Sequence, residues 1–504
     1  MAPVISFYGT LVAAALFVGD ALAKARLPPK PNDLSTPVQE RIAVNGPNAV
    51  SIAWNTYKQL DKACVKYGTL SGSLKLEACT NRSITYPTSR TWSHTVTLTD
   101  LNPATVYYYK IESANSNVEQ FMSPRVAGDK TPFAINAVID LGVYGEDGFT
   151  IRGDHSKRDT IPSIQPSLNH TTIGRLAQTI DDYEFVIHPG DLGYADDWFL
   201  RPHNVLHGTD AFQAILENFY DQLAPIAGRK PYMVSPGNHE AVCNELPALN
   251  RGCPTGQKNF TDFMSRFGNG LMPTAFSSTS EDAAAKVNAN KAAALAKPPF
   301  WFSFEYGMVH VVMIDTETDF ADAPDAEGGE QGFKTGPFGA RNQQLEFFEA
   351  DLASIDRTIT PWVIVAGHRP WYTTGDGGCK PCQKAFEGLM YKYGVDLGVF
   401  GHVHNSQRFY PAFNGTADKA GMNDPKAPMY IIAGGAGSIE GLSAVGKKGP
   451  LNAWAYDDAF SYATIRFLDT QNLQVDFYRS DSGKLLDSSK LFKSHKDRFV
   501  SQKP

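Results

Sequence analysis

The sequence predicts an α/β protein in two parts, a small N-terminal β-sandwich followed by a large α/β domain. From about Gln39 to Arg125, short apolar strands alternate with turns: Ala49–Trp54, Val65–Tyr67, Trp92–Leu98 and Val106–Glu112. After Asp129-Lys130-Thr131-Pro132 the pattern changes. Apolar strands now alternate with helical stretches, and each strand ends on a loop rich in Gly, Asp, Asn or His. Composition supports a large folded core, with 504 residues, 42% hydrophobic and 20% charged. It excludes disordered, collagen-like and coiled-coil chains. The formal charge of −7, from 46 Lys plus Arg against 53 Asp plus Glu, lacks the basic excess of a nucleic-acid binder.

Taken in order, Val4–Val18 is apolar apart from Ser6, Tyr8, Gly9 and Thr10, and leads to Ala21-Leu22-Ala23, a small-x-small cleavage pattern. The stretch is too short to span a bilayer comfortably. Residues 1–23 therefore read as a secretory signal, although no Lys or Arg precedes the apolar run. Pro28, Pro29, Pro31 and Pro37 make residues 24–38 a stiff, exposed lead-in. The sandwich occupies 39–126. Within it, Leu101-Asn102-Pro103-Ala104-Thr105-Val106-Tyr107-Tyr108-Tyr109 resembles the L-x-P-x-T-x-Y-x-Y signature of fibronectin type III-like domains, whose tyrosine packs a strand corner onto the core. No later run approaches about 18 uninterrupted apolar residues, so no membrane association is expected once the signal is removed.

Six cysteines lie in three close pairs: Cys64/Cys79, Cys243/Cys253 and Cys379/Cys382. Several connectivities are possible, but loop closure favours the local ones, and an oxidising compartment would form them. Cys379-Lys380-Pro381-Cys382 could serve redox or zinc chemistry. It stands without a second pair or a thioredoxin-like context, so it reads as a strained structural disulfide. Sequons at Asn81, Asn169, Asn259 and Asn414 fit a glycoprotein bound for the extracellular space or cell wall.

The large domain, placed at 132–493, is a series of strands with polar loops behind them. Ala134–Ile139 leads to Asp140, Phe185–His188 to Gly190-Asp191, and Tyr232–Ser235 to Gly237-Asn238-His239. Val309–Ile314 leads to Asp315, Trp362–Ala366 to Gly367-His368, Leu397–Phe400 to Gly401-His402-Val403-His404, and Met429–Ala433 to Gly434-Gly435. Such strands fit a buried sheet that binds its ligand at the carboxyl edge. Ser280–Pro298 reads as an inserted surface helix, and Tyr456–Tyr478 as closing strands. Any one polar residue after a strand reads first as a turn cap. Five such loops with metal-competent donors are another matter. The donors are Asp140, Asp191, Asn238, His368, His402, His404 and the phenol of Tyr194. This oxygen and nitrogen set suits Fe, Zn or Mn and excludes soft thiolate sites. It is too large for one tetrahedral metal and suits two that share a carboxylate.

These blocks resemble those of the metallophosphoesterases, specifically the purple acid phosphatases: G-D-x-G, G-D-x-x-Y, G-N-H-[DE], V-x-x-H and G-H-x-H. The chain has Ile139-Asp140-Leu141-Gly142, Gly190-Asp191-Leu192-Gly193-Tyr194, Gly237-Asn238-His239-Glu240, Val365-Ala366-Gly367-His368 and Gly401-His402-Val403-His404. Ile139 departs from the pattern by replacing a glycine. The resemblance runs from about residue 34 to 493 and implies a layered α/β/β/α catalytic domain behind the sandwich. It implies that Asp140, Tyr194 and His404 hold a ferric ion, that Asn238, His368 and His402 hold a divalent Fe, Zn or Mn, and that Asp191 bridges them. Tyr194 bound to Fe(III) would give the charge-transfer colour. The implied activity is a secreted acid phosphatase, cleaving small phosphate monoesters with a metal-bound hydroxide. His239, beside Asn238 but not assigned to metal, is the candidate proton donor to the leaving group, or else an orienting residue.

In the resembling plant enzymes further histidines contact substrate after the V-x-x-H block, but Trp371–Phe386 contains none. Lys380, Lys384, His203 and His207 are the possible replacements. Asp196, Glu240, Asp315 and Glu317 are candidates to support the ligands or merely to cap turns. His94, His155, His170, His310 and His495 fall outside the blocks and read as structural or exposed. Two other functions stay open: a phosphodiesterase or nucleotide pyrophosphatase on the same scaffold, and a non-catalytic secreted binding glycoprotein. The intact donor set argues against the second. Substrate identity (phytate, nucleotide or sugar phosphate), the divalent metal and the oligomeric state are not legible.

Overall fold

The structure, a computed structural model, describes residues 26–113, 115–144, 171–201, 204–205, 208–248, 250–279 and 281–503. The signal at 1–23, the sequon at Asn169, and His155, His170, His203 and His207 lie outside the described residues.

The first two sheets form the sandwich. Val38–Val44, Val50–Thr56 and Trp92–Leu98 make a three-stranded sheet. Leu76–Thr80, Ala63–Gly68, Val106–Ile111 and Glu119–Met122 make a four-stranded one. Period-two burial drives their assembly, as along Val106–Ile111, where Tyr107, Tyr109 and Ile111 turn inward. They meet Ile52, Trp54 and Val96 of the other sheet in one apolar cluster. The strand corner has the expected form: the Tyr107 hydroxyl accepts the Asn102 N–H at 3.0 Å. His94 is structural here, between Thr56 Oγ1 at 2.7 Å and Ser83 Oγ at 3.2 Å.

Behind the sandwich, two larger sheets pack on each other. One has six strands in the order Tyr232–Ser235, Val186–Pro189, Phe133–Ala137, Ser461–Phe467, Asn472–Arg479, Leu485–Phe492. The other has seven, ordered Phe302–Tyr306, Val309–Met313, Trp362–Ala366, Leu397–Phe400, Met429–Ala433, Ser406–Phe409, Asn452–Tyr456. Phe185, at the start of one sheet, meets Phe304 and Tyr306 of the other with ring centroids 5.6 and 5.0 Å apart. The helices Thr172–Gln178 and Gly208–Ala227 cover the first sheet, and Gln343–Ser354 packs on the second through Asp351, which accepts from Ser303 at 2.5 Å. The layering is therefore α/β/β/α. Ala283–Leu295 forms the expected surface helix.

All three local disulfides are formed, Cys64–Cys79, Cys243–Cys253 and Cys379–Cys382. The first joins residues directly opposite in neighbouring strands. The sandwich is fastened to the larger unit by buried polar contacts. Tyr109 Oη donates to the Gly228 carbonyl at 2.6 Å, and Arg41 donates twice to the Arg266 carbonyl, at 2.8 and 3.1 Å. Among the described residues, no helix is long and apolar enough to cross a membrane.

Candidate metal centre

Five loops at the carboxyl ends of the two large sheets converge. Asp140, then Asp191 with Tyr194, then Asn238 with His239 follow three adjacent parallel strands of the six-stranded sheet. His368, then His402 with His404 follow two adjacent parallel strands of the seven-stranded sheet. Asp140, Asp191, Tyr194 and His402 all lie in the left-handed region, with φ of 61°, 60°, 56° and 64°. Each such non-glycine residue costs about 1 kcal/mol or more, a strain typical of functional loops. Close approach explains the glycines. A Cβ on Gly190 would stand 2.6 Å from His368 Nδ1, and one on Gly237 would stand 2.3 Å from Asp191 Oδ1. The departure at Ile139 is absorbed the same way. Its side chain lies where a Cβ on Gly401 would be, 2.1 Å from Cγ2, so the loop keeps its course.

The side chains meet at hydrogen-bonding distances. Tyr194 Oη lies 2.8 Å from His404 Nε2, 3.2 Å from Asp140 Oδ1 and 3.4 Å from Asp191 Oδ2. His368 Nε2 lies 3.1 Å from both Asp191 Oδ2 and Asn238 Oδ1. His368 Nδ1 lies 3.2 Å from the Pro189 carbonyl, which fixes the ring with Nε2 inward. Two triads result, Asp140–Asp191–His404 and Asp191–His368–His402, each with its donor atoms within 4.8 Å of one another. Asp191 belongs to both.

Asp140, Asp191, Tyr194 and His368 are fully buried. Burial and the charge of Asp191 push the Asp140 carboxyl well above its usual range. For Asp191 burial acts the same way, but His368, His239 and His402 outweigh it and hold the carboxyl well below. Burial lowers His402, helped by Arg369, and brings His404 down to about 4. Imidazoles held neutral at His402 and His404 and an ionised Asp191 are protonation states that bind cations, and the raised Asp140 gives up its proton when a metal binds. The donor set thus fits two metal ions that share Asp191.

The surroundings hold this arrangement. Glu240 stitches two loops together by accepting the N–H groups of Asp191 at 3.0 Å, Leu192 at 2.7 Å and Gly237 at 2.7 Å. The His402 N–H donates to Asp140 Oδ2 at 2.8 Å, tying the sheets together. His239 places Nδ1 2.9 Å from Asp196 Oδ1 and Nε2 3.2 Å from Glu245 Oε1. Of the other support candidates, Glu317 acts at one remove through Arg369, at 2.6 Å. Asp315 caps its own turn by accepting from Glu317, Thr318 N–H and Thr318 Oγ1. Lys380 and Lys384 are exposed on the turn after Cys379. His310 and His495 are bound in structural contacts to Asp351 and Thr470.

Four residues at the site escaped sequence reasoning: Arg369, Asp197, Glu245 and Glu440. Arg369 Nη1 reaches His402 Nε2 at 2.9 Å, and Glu440 Oε2 lies 3.5 Å from His404 Nδ1. Arg369 was marked only by adjacency to His368 and Asp197 only by adjacency to Asp196; nothing local marked the two glutamates.

Comparison with known proteins places the chain among phosphatases. Family profiles described as "Purple acid Phosphatase, N-terminal domain", "Calcineurin-like phosphoesterase" and "Iron/zinc purple acid phosphatase-like protein C" match residues 37–124, 168–406 and 427–488. The chain is 64% identical to acid phosphatase A of Cryphonectria parasitica, across 96% of this chain and 97% of that one. It is 29% identical to an acid phosphatase of Aspergillus ficuum, covering 79% and 75% of the two chains. A purple acid phosphatase from yellow lupin (Lupinus luteus) seeds has the same fold, with a TM-score of 0.61, 22% identity, and coverage of 91% and 75%.

Proposed function

Because the chain belongs to the purple acid phosphatase family, we propose that it is a secreted acid phosphatase acting on small phosphate monoesters at a centre of Fe(III) and a divalent Fe, Zn or Mn. The observation that carries this is the pair of donor triads sharing Asp191, buried except for the half-buried His402. Asp140, Tyr194 and His404 would hold the ferric ion, Asn238, His368 and His402 the divalent one, and Asp191 would serve both. When bound, two such cations would supply positive charge to the phosphate oxygens and activate a water. The protein's part is to keep the donors fixed and dry, and to manage the leaving group. Glu240 ties the Asp191 loop, through the Asp191 and Leu192 amides, to its own loop at Gly237. His239, braced by Asp196 on Nδ1, delivers a proton from Nε2 to the departing oxygen.

The same proposal includes removal of residues 1–23, division into domains at 39–126 and 132–493, and glycans on Asn81, Asn169, Asn259 and Asn414. Three disulfides and the exposure of Asn81, Asn259 and Asn414 support it.

The test is metal analysis, visible absorption and phosphate release from p-nitrophenyl phosphate at acidic pH. Tyr194→Phe should abolish the visible band while the fold survives; a band that persists, or an iron-free active protein, sinks the ligand assignment. His239→Asn should lower kcat/KM about 100-fold for alkyl phosphates, and less for p-nitrophenyl phosphate, whose leaving group needs no proton. Equal losses on both would remove His239 from the proton-donor role.

A further inference from the structure

The side of the site around His239 is strongly acidic. Asp196, Asp197, Glu245 and Glu440 surround this one imidazole. The donor atoms of Asp196, His239 and Glu245 lie within 4.8 Å of one another, as do those of Asp197, His239 and Glu440. Asp197 is 1% exposed, yet neither of its carboxylate oxygens has a hydrogen-bond partner. Glu245 and Glu440 keep 28% and 33% of their side chains exposed, so they line the mouth while His239 stands behind them. Among the described residues, the ion pairs of Asp196, Glu245 and Glu440 are with imidazoles, and no Lys or Arg neutralises them.

On the phosphomonoesterase reading above, His239 marks the end of the site where the leaving group departs. The groups around it are then what the leaving group meets. We propose that this acidic rim is a leaving-group subsite for an alkylammonium group, so that phosphate monoesters of amino alcohols are preferred over monoesters whose leaving group carries further phosphates. The phosphoryl end faces the paired-cation site, whereas a second phosphate on the leaving group would face carboxylates. Opposite charge attracts and like charge rejects across the same few ångströms, which is how an apposed charge pair sets specificity. The buried Asp197 gives the subsite a carboxyl group whose two oxygens no protein group pairs.

The test uses the metal-loaded enzyme at one fixed pH. The ratio of kcat/KM for O-phosphoethanolamine to that for inositol hexakisphosphate is measured, with glycerol phosphate as a neutral reference. The wild type should favour O-phosphoethanolamine by about tenfold or more, and Glu245→Gln with Glu440→Gln should cut that ratio at least about fivefold. Losses common to all substrates cancel in the ratio. A wild-type ratio at or below one overturns the proposal even if the variants fail to fold. So does an unchanged ratio in a variant that keeps its metals. A third tightly held metal per chain, lost in the double variant, would assign the rim to a cation and overturn the subsite. Hydrolysis of none of the three substrates would instead overturn the phosphomonoesterase reading, and the subsite with it.

Discussion

The two large sheets bring different chemistry to the same edge. The six-stranded sheet contributes oxygen, as Asp140, Asp191, Tyr194 and Asn238; the seven-stranded sheet contributes imidazole, as His368, His402 and His404. Carboxyl, phenol and amide oxygen comes from one side and imidazole nitrogen from the other, so neither half of the chain carries a complete site. The halves are joined where it matters: the Ile139 N–H donates to the Ala433 carbonyl at 3.2 Å, and the His402 N–H to Asp140. A centre assembled across a seam depends on the seam as much as on the donors.

Breaking one donor from each sheet should have the largest effect. Asp140→Asn and His368→Ala should each leave about one metal per chain and lower kcat by about a thousandfold or more, read by metal analysis and steady-state kinetics. Equal loss of both metals from either single change would mean the two triads are not separable.

The imidazole sheet also carries a histidine with no part in the site. Burial alone would lower the His310 pKa, but Asp351 and Glu305 outweigh it and raise it to about 9. A raised folded pKa stabilises fully below the unfolded value of 6.5 and loses that contribution as pH rises through about 9. Denaturant unfolding of His310→Gln against the wild type should therefore differ by about 3 kcal/mol more at the acidic end of that window than above it. A gap that is constant with pH would refute the pairing.

Two smaller changes probe the oxygen sheet. Gly237→Ala forces a methyl against Asp191 Oδ1 and should cost about 2 kcal/mol of stability together with weakened metal binding. Glu240→Gln keeps the shape but offers one acceptor oxygen for three amides. It should cost about 1 kcal/mol and lower metal affinity about tenfold, read by thermal unfolding and chelator competition.

The donor loops were legible because each follows an apolar strand buried on both faces, so the sequence shows a continuous run and then an abrupt Gly-Asp, Gly-Asn or Gly-His, or at Ile139-Asp140 an Asp followed by Leu-Gly. The strands that went unrecognised are mostly sheet edges: Val38–Val44, Leu76–Thr80, Glu119–Met122, Phe302–Tyr306, Asn452–Tyr456 and Leu485–Phe492. Edge strands such as Leu76–Thr80 and Leu485–Phe492 face solvent and carry a weak hydrophobic pattern. Ser406–Phe409 was hidden for another reason, lying directly behind the G-H-x-H loop as a short polar segment. Of the acidic rim only Asp196 was legible, two residues after Tyr194. Glu245 and Glu440 come from irregular loops nearly two hundred positions apart, and only the folding of both sheets onto one edge sets them beside His239. Local pattern records which strands are buried; it does not record which loops meet.

The central claim is one centre shared by both sheets through Asp191. Metal content of the Asp191→Asn protein tests it most directly, measured beside Asp140→Asn and His368→Ala. The account predicts loss of both metals from Asp191→Asn, with about one retained in each of the other two. Retention of two metals by Asp191→Asn, in a folded protein, would contradict it.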